Sequence, residues 1–196
     1  MRTSSRSEET RARLLVAARA EFAEAGMSGA RVDRIARQAG VNKERIYGYF
    51  GSKEQLFTEV IAEALGDHAG QVGLPYGDLG EYAGRIYDFH LANPELTRLM
   101  MWEALYYRDQ PLPDDKVRAA HYTAKVAAVA EARGHRFDER AATAFVALIA
   151  VAVWPLAFPQ MTRLILGTAD VEPGALRRHV VAMADALVSA PGFDDL

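Results

Sequence analysis

Four side chains that donate hydrogen bonds lie close together near residue 45 of this chain. Lys43, Arg45 and Tyr47 occupy alternate positions, and Lys53 follows six residues later. Arginine and lysine donate hydrogen bonds to guanine O6 and N7 or to phosphate, and a tyrosine hydroxyl donates to phosphate. These residue types at this spacing indicate contacts with duplex DNA rather than acid–base or nucleophilic chemistry.

Two short helices joined by a turn are the elements that would present these donors. The stretch Val32–Gly51 reads VDRIARQAGVNKERIYGYFG, and its apolar spacing predicts helices over about 32–39 and 43–50. Gly40 suits the turn, and Asn42 suits the N-cap of the second helix. In a helix-turn-helix, the second helix enters the major groove with its N-terminal residues at the base edges.

Further residues complete the candidate interface. Glu44 would be repelled by phosphate, so we expect it to face a base edge such as cytosine N4, an arginine or solvent. Gly48 removes bulk and would let the helix approach the DNA backbone closely. Arg31 precedes the first helix, where it offers a charged phosphate contact. The predicted DNA-binding residues are Arg31, Asn42, Lys43, Glu44, Arg45, Tyr47, Gly48 and Lys53.

The distribution of charge supports this assignment, although the chain as a whole is acidic. The 196 residues carry a formal net charge of −3. Residues 1–53 contain 11 Lys and Arg against 6 Asp and Glu, a net charge of +5. The remainder contains 12 against 20, a net charge of −8. The positive charge therefore accompanies the helix-turn-helix, as counterion release from DNA would favour.

A longer pattern surrounds the motif. Its members are Ala17-Ala18, Phe22, Gly26, Ile35-Ala36, Ala39-Gly40-Val41, Ile46-Tyr47, Tyr49-Phe50, Ser52-Lys53-Glu54 and Leu56. With this pattern, the segment from about Arg11 to Leu65 resembles the DNA-binding domain of the tetracycline-repressor (TetR) family of bacterial regulators. The resemblance implies a homodimer, a palindromic double-stranded operator and a small-molecule effector. The family's usual Thr or Ser near the start of the second helix is replaced by Ala30-Arg31-Val32, so an operator sequence does not transfer.

Apolar residues recur at spacings of three and four along the chain, which predicts an all-α fold of about nine helices. Ser5 with Glu8 predicts the start of the first helix. We expect a DNA-binding domain over 1–52 (motif about 31–50), a fourth helix over 53–66 as connector, and an effector-binding and dimerisation domain over 67–196. The dense glycines between 66 and 80 predict a break or hinge.

The C-terminal region offers residues suited to a ligand pocket, although each would equally fill a core. The pocket candidates are His90, Trp102, Tyr106, His121, Tyr122 and Phe145. The helices expected over 138–154 and 173–189 carry apolar stripes that suit a dimer interface or packing within one subunit.

Several classes of protein are disfavoured. The chain has no cysteine, no phosphate-binding glycine motif and no histidine spacing suited to metal ligation, so we expect no cofactor, no metal and no enzyme activity. The uncharged run over 141–162 is interpreted as a buried helix followed by a break at Pro155 and Pro159, not as a membrane span. The predicted function is a ligand-responsive cytoplasmic repressor. The alternatives are a DNA-binding protein without an effector, or a helical enzyme or binding module.

Overall fold

The computed structural model describes residues 2–134, 136–167 and 172–189, and these ranges contain ten helices and no strand. The all-α prediction is confirmed. The helices are α1 Arg2–Gly29, α2 Val32–Ala39, α3 Lys43–Phe50, α4 Lys53–Val72, α5 Leu79–Ala92, α6 Pro94–Tyr107, α7 Asp115–Ala132, α8 Glu139–Ala157, α9 Pro159–Leu166 and α10 Pro173–Ser189. The break predicted at Pro159 is wrong, since α9 begins there. Pro159 occupies the first helical turn, where its missing N–H costs nothing.

The helices form two compact units. The first comprises the residues up to Asp67 together with Glu95–Asp114, and the second comprises His68–Pro94 together with the residues from Asp115 onward. The core of the first unit contains Phe22 and Phe57, whose rings meet edge to face at 4.9 Å between centroids. Ile35 and Ile46, from α2 and α3, are completely buried in the same core.

Helices α4, α5 and α8 each begin with a side-chain cap, in which the capping oxygen accepts a hydrogen bond from the backbone N–H three residues later. Ser52 accepts from the Gln55 N–H at 3.0 Å, Asp78 from the Glu81 N–H at 2.9 Å, and Asp138 from the Ala141 N–H at 3.1 Å. The cap at Ser5 is wrong, since the helix already includes this residue. The spacing that marks a capping box is also the spacing of neighbours inside a helix. Pro191 and Gly192, whose residue types favour a helix end, lie outside the described residues.

The break predicted in the glycine-rich segment is confined to residues 73–78, between α4 and α5. Helix α4 continues through Gly66 and Gly70 to Val72 instead of ending near residue 66. Gly80 and Gly84 lie inside α5, where a Cβ would come within 2.2 Å of Asp185 Oδ1 and 2.9 Å of Arg177 Nη2. These two glycines therefore provide the space in which α10 approaches α5, and tertiary packing outweighs their poor helix propensity.

The second unit is built around α5, which packs against α8 and α10. Tyr82, Leu148 and Val180, one from each helix, are completely buried. At the edge of this core, Arg177 donates to Asp88 at 2.8 and 3.0 Å and to Glu81 at 3.0 Å.

Helix α8 is long and apolar enough to cross a bilayer by length and composition, and only 28% of its apolar window is buried within this chain. The predicted burial of this helix is therefore only partial within one chain. Pro155 lies inside α8 near its end and does not terminate it. One side of α8, with Phe145 and Leu148, is buried, whereas Val146 and Trp154 are exposed.

Candidate nucleic-acid interface

A carboxylate from α1 holds the start of α2. Arg31 is the N-cap residue of α2 and makes no side-chain cap of its own. Instead, Glu21 Oε1 accepts a hydrogen bond from the Arg31 backbone N–H at 2.7 Å. The same oxygen accepts from Arg34 Nε at 2.9 Å and pairs with Arg34 Nη2 at 2.7 Å. Because Glu21 is nearly buried, this contact fixes where α2 begins relative to α1.

The turn between α2 and α3 has the geometry that the sequence predicts. Gly40 lies in the left-handed region with φ 68° and ψ 37°. Its N–H donates to Arg37 O at 3.2 Å, and the Val41 N–H donates to Ala36 O at 3.0 Å. This pair of bonds is a Schellman motif, which ends α2 and directs the chain into α3.

Helix α3 has one buried and one exposed side. Ile46 and Phe50 enter the core of the first unit, and Asn42 Oδ1 accepts from the Arg45 N–H at 3.3 Å to cap the helix. Glu44, Tyr47 and Gly48 are exposed, and Tyr47 keeps 43% of its surface accessible. A Cβ on Gly48 would meet no atom within 4 Å. The exposed side is therefore free of packing within the unit.

An ion pair occupies the N-terminal end of this surface. Lys43 Nζ lies 3.2 Å from Asp33 Oδ1, and both side chains are largely accessible to solvent. An exposed pair of this kind contributes little to stability, so phosphate can displace Asp33 from Lys43 at small cost. Arg31, Arg45 and the other predicted contact residues of α3 are exposed, and Lys53 is half-buried at the first position of α4.

The neighbouring aromatic residues fasten α3 to the rest of the unit. The Tyr49 hydroxyl and Ser7 Oγ are hydrogen-bonded at 3.0 Å, and the Arg11 guanidinium lies 5.4 Å from the Phe50 ring centroid. Arg11 also pairs with Glu59 of α4. These contacts brace the buried side of α3, while Tyr47 is directed away from them.

Comparison with known proteins places this geometry in a family. Residues 14–60 match the model described as bacterial regulatory proteins, tetR family. Residues 78–185, more than half of the chain, match the model of the tetracyclin repressor-like C-terminal domain. The chain belongs to the TetR family. It is therefore a DNA-binding transcriptional regulator and not an enzyme.

Relatives cover nearly the full length of this TetR-family chain. It is 40% identical over 184 residues to the HTH-type transcriptional repressor SCO4008 of Streptomyces coelicolor, covering 92% of this chain and 96% of that protein. The crystal structure of the transcriptional regulator SCO4942 from Streptomyces coelicolor superposes with a TM-score of 0.76 at 30% identity, covering 93% and 99% of the two chains. A regulator from Mesorhizobium loti, at 21% identity and a TM-score of 0.59, shares the fold.

The pocket candidates of this TetR-family chain fall in two places. His90, His121, Tyr122 and Phe145 belong to the second unit, where the Tyr122 and Phe145 ring centroids are 6.3 Å apart. Trp102 and Tyr106 belong to the first unit. There Trp102 packs against Gly26, and Tyr106 stacks edge to face on Tyr107 with centroids 5.0 Å apart.

Sequence reasoning missed Glu21 and Asp33, which contact Arg31 and Lys43 of the candidate interface. Glu21 lies ten residues before the N–H that it accepts from, so no local capping pattern marks it. Asp33 follows the ordinary preference for acidic residues in the first turn of a helix, and its pairing with Lys43 requires the fold.

Proposed function

We propose that this TetR-family regulator is a dimeric repressor that binds a palindromic operator and is released from it by a small molecule. Residues 1–52 bind DNA, residues 53–66 connect, and residues 67–196 bind the effector and the second subunit. The protein acts in the cytoplasm, where its DNA lies. The repressor name of its 40% identical relative supports the direction of regulation.

The observation that carries this proposal is the exposed side of α3. Lys43 and Arg45 would donate to guanine or phosphate, and the Tyr47 hydroxyl to phosphate. Gly48 leaves room for close approach, and Lys53 brings an ammonium to the start of α4, where backbone N–H groups also favour phosphate. Ile46 holds all of these positions against the core.

The second subunit is expected to cover the apolar surface of α8 and α9. No residue of α9 is buried, and Leu164 and Ile165 are 82% and 71% exposed. Trp154 and Phe158 extend this surface along the end of α8, with ring centroids 4.4 Å apart. A group of adjacent, exposed, large apolar side chains marks an interaction surface. On α10, Val180 and Ala184 of the predicted stripe are buried within the unit. The other stripe residues are half-buried and remain candidates for the same interface: Leu176, Val181, Leu187 and Val188.

Release then follows from the symmetry of the dimer. Two recognition helices read half-sites at a fixed separation. An effector that binds more tightly to a dimer with a different separation shifts the population away from the DNA-binding form. The ratio of the two effector affinities limits the size of this shift.

The deciding experiment replaces three proposed contacts together, Lys43→Ala, Tyr47→Ala and Lys53→Ala. Binding is measured by fluorescence anisotropy on the duplex upstream of the protein's own gene, with a scrambled duplex as competitor, from low to high salt. We expect at least a hundredfold loss of affinity. The slope of log affinity against log salt concentration should become shallower by about 0.9 for each phosphate contact removed.

A matched variant replaces Lys116, Tyr76 and Arg136, which are exposed residues of the second unit. This control should bind DNA like the parent protein, and circular dichroism should show both variants folded. Unchanged affinity in the triple α3–α4 variant would refute the interface. DNA binding that no compound of a metabolite library weakens would instead favour a regulator without an effector.

A further inference from the structure

Four basic side chains of the second unit lie close enough that the charge of Lys125 acts on the other three, His68, His90 and His121. His68 lies near the end of α4, His90 on α5, and His121 and Lys125 one turn apart on α7. The ring centroids of His68 and His90 are 5.4 Å apart, and the Phe89 ring contacts His68 edge to face at 5.0 Å. We call these four residues the basic cluster.

The basic cluster holds a buried cation. The Lys125 side chain is 3% exposed, and no ion pair or hydrogen bond of its ammonium group is found among the described residues of the unit. Burial lowers the pKa of Lys125, and no carboxylate among the described residues acts on it to offset this effect. Largely burying a lysine without a charged partner is costly, and a chain that needs only packing would place an apolar residue there.

The charge of Lys125 lowers the pKa values of the surrounding imidazoles. Burial and the Lys125 ammonium lower the pKa of His68 to about 3 and the pKa of His90 to about 4. The same two causes lower the pKa of His121. At neutral pH these rings are uncharged, and an uncharged imidazole carries one N–H donor.

A metal ion does not explain the basic cluster, since no group of three or more His, Asp or Glu suited to a metal lies in the part of the chain that the structure describes. Aromatic residues adjoin it, because the His121 ring lies 6.1 Å from Tyr122, which in turn neighbours Phe145. The unit thus places one buried cation and neutral donors beside an aromatic surface.

We propose that the basic cluster is an anion subsite, in which Lys125 binds the carboxylate of a small amphipathic acid and the histidines donate hydrogen bonds to it. The aromatic neighbours would take the apolar part of the same molecule. This inference rests on the proposed effector response and specifies the chemical class of the effector.

The test uses three probes that share one skeleton, 4-phenylbutyrate, 4-phenylbutyramide and 4-phenylbutylamine. Binding is measured by isothermal titration calorimetry and by thermal shift at neutral pH on the full-length protein. We expect the carboxylate alone to bind and to raise the melting temperature. Lys125→Met should weaken its affinity at least tenfold, whereas Lys116→Met, at an exposed position of the same helix, should not change it.

Folding of the variant is checked without ligand. Lys125→Met should melt at the same temperature as the parent protein or a few degrees above it, because an uncompensated charge has been removed. A fall as large as that of the core truncation Leu148→Ala would show that Lys125 is structural and would overturn the proposal. Equal binding of the amide or the amine, or no carboxylate binding at all, would also overturn it.

The same samples separate this inference from the proposed function. Carboxylate binding that depends on Lys125 but leaves operator affinity unchanged would uphold the anion subsite and refute its role in release. Normal operator binding in a protein that binds none of the probes would uphold the regulator and refute the anion subsite.

Discussion

The indole of Trp102 packs against Gly26, and both residues lie in the first unit. Trp102 Nε1 donates to the Ala23 carbonyl oxygen at 3.3 Å. Gly26 interrupts α1 with φ 65° and ψ −179°, and a Cβ there would lie 2.6 Å from Trp102 Cδ2. This contact therefore fixes both the break in α1 at Gly26 and the position of α6 against α1.

Gly26→Ala should destabilise the first unit for two reasons. The combination of positive φ with ψ near 180° is essentially restricted to glycine and costs an L residue about 1–3 kcal/mol, and crowding of the indole costs about 1–3 kcal/mol more. Urea unfolding followed by far-UV circular dichroism measures the change. Gly29→Ala, with ordinary φ and its nearest neighbour at 3.4 Å, is the control and should cost nothing. Trp102→Leu should recover part of the loss in Gly26→Ala, and strict additivity of the two changes would contradict the contact.

Glu21→Ala should weaken both stability and DNA binding. It leaves the Arg31 N–H and the Arg34 guanidinium without their acceptor, at a cost of about 1–3 kcal/mol in the free energy of unfolding. Glu21→Gln keeps an acceptor oxygen and should lose less. Chemical denaturation and operator titration measure the two effects. Glu24→Ala, an exposed position of the same helix, is the control, and equal losses at the two positions would refute the role of Glu21.

Asp33→Asn should strengthen DNA binding. The change removes the carboxylate that pairs with Lys43 and one negative charge beside the phosphates. We expect a roughly two- to tenfold higher affinity at low salt, and a smaller gain at high salt because exposed charges are screened. Glu63→Gln, an exposed charge elsewhere on α4, should have no such effect. Lower affinity in Asp33→Asn would indicate that Asp33 positions Lys43 for binding.

Leu164→Asp with Ile165→Asp should separate the proposed dimer into monomers. Two carboxylates would have to be desolvated within the apolar surface of α8 and α9. Analytical ultracentrifugation gives the mass, and a palindromic duplex should lose affinity far more than a single half-site. Val117→Asp, equally exposed on α7, is the control. A double variant that still sediments as a dimer would place the interface elsewhere.

Stability should fall as the pH drops below about 6.5. The pKa values of His68 and His90 are lowered in the folded chain to about 3 and about 4, whereas unfolded histidine titrates near 6.5. The unfolded state therefore binds more protons over this window, and unfolding becomes easier as the pH decreases. The melting temperature between pH 7.5 and 5.5 measures this effect before most carboxylates titrate. His68→Gln with His90→Gln should flatten the profile, and His179→Gln, at an exposed position, should not.

The sequence was sufficient for the helix-turn-helix because its signals are local. Gly40, Asn42 and Ser52 satisfy turn and cap requirements within three or four residues, and Ile46 completes an apolar spacing. These rules depend on backbone geometry and not on distant partners, so the ends of α2 and α3 are where the pattern predicts.

The remaining features depend on contacts that are distant in sequence. Gly80 and Gly84 favoured a break by propensity, yet α10 packs against them almost a hundred residues later. The basic cluster combines residues of three helices, so His90 and His121 were visible only as single candidates, and Lys125 was not selected at all. Helix α9 was not predicted because proline favours a helix end by residue type, whereas Pro159 lies in the first turn of α9.

The buried side of α3 stabilises the fold, and the exposed side is proposed to contact DNA. Ile46 and Phe50 anchor the helix, while Glu44, Tyr47 and Gly48 touch nothing that the fold needs. The outer positions can therefore be exchanged without disturbing the scaffold. The exposed α3 residues of another regulator can therefore be introduced onto this backbone by design. In the same way, a duplicated gene can acquire new operators by a few substitutions while its product still folds.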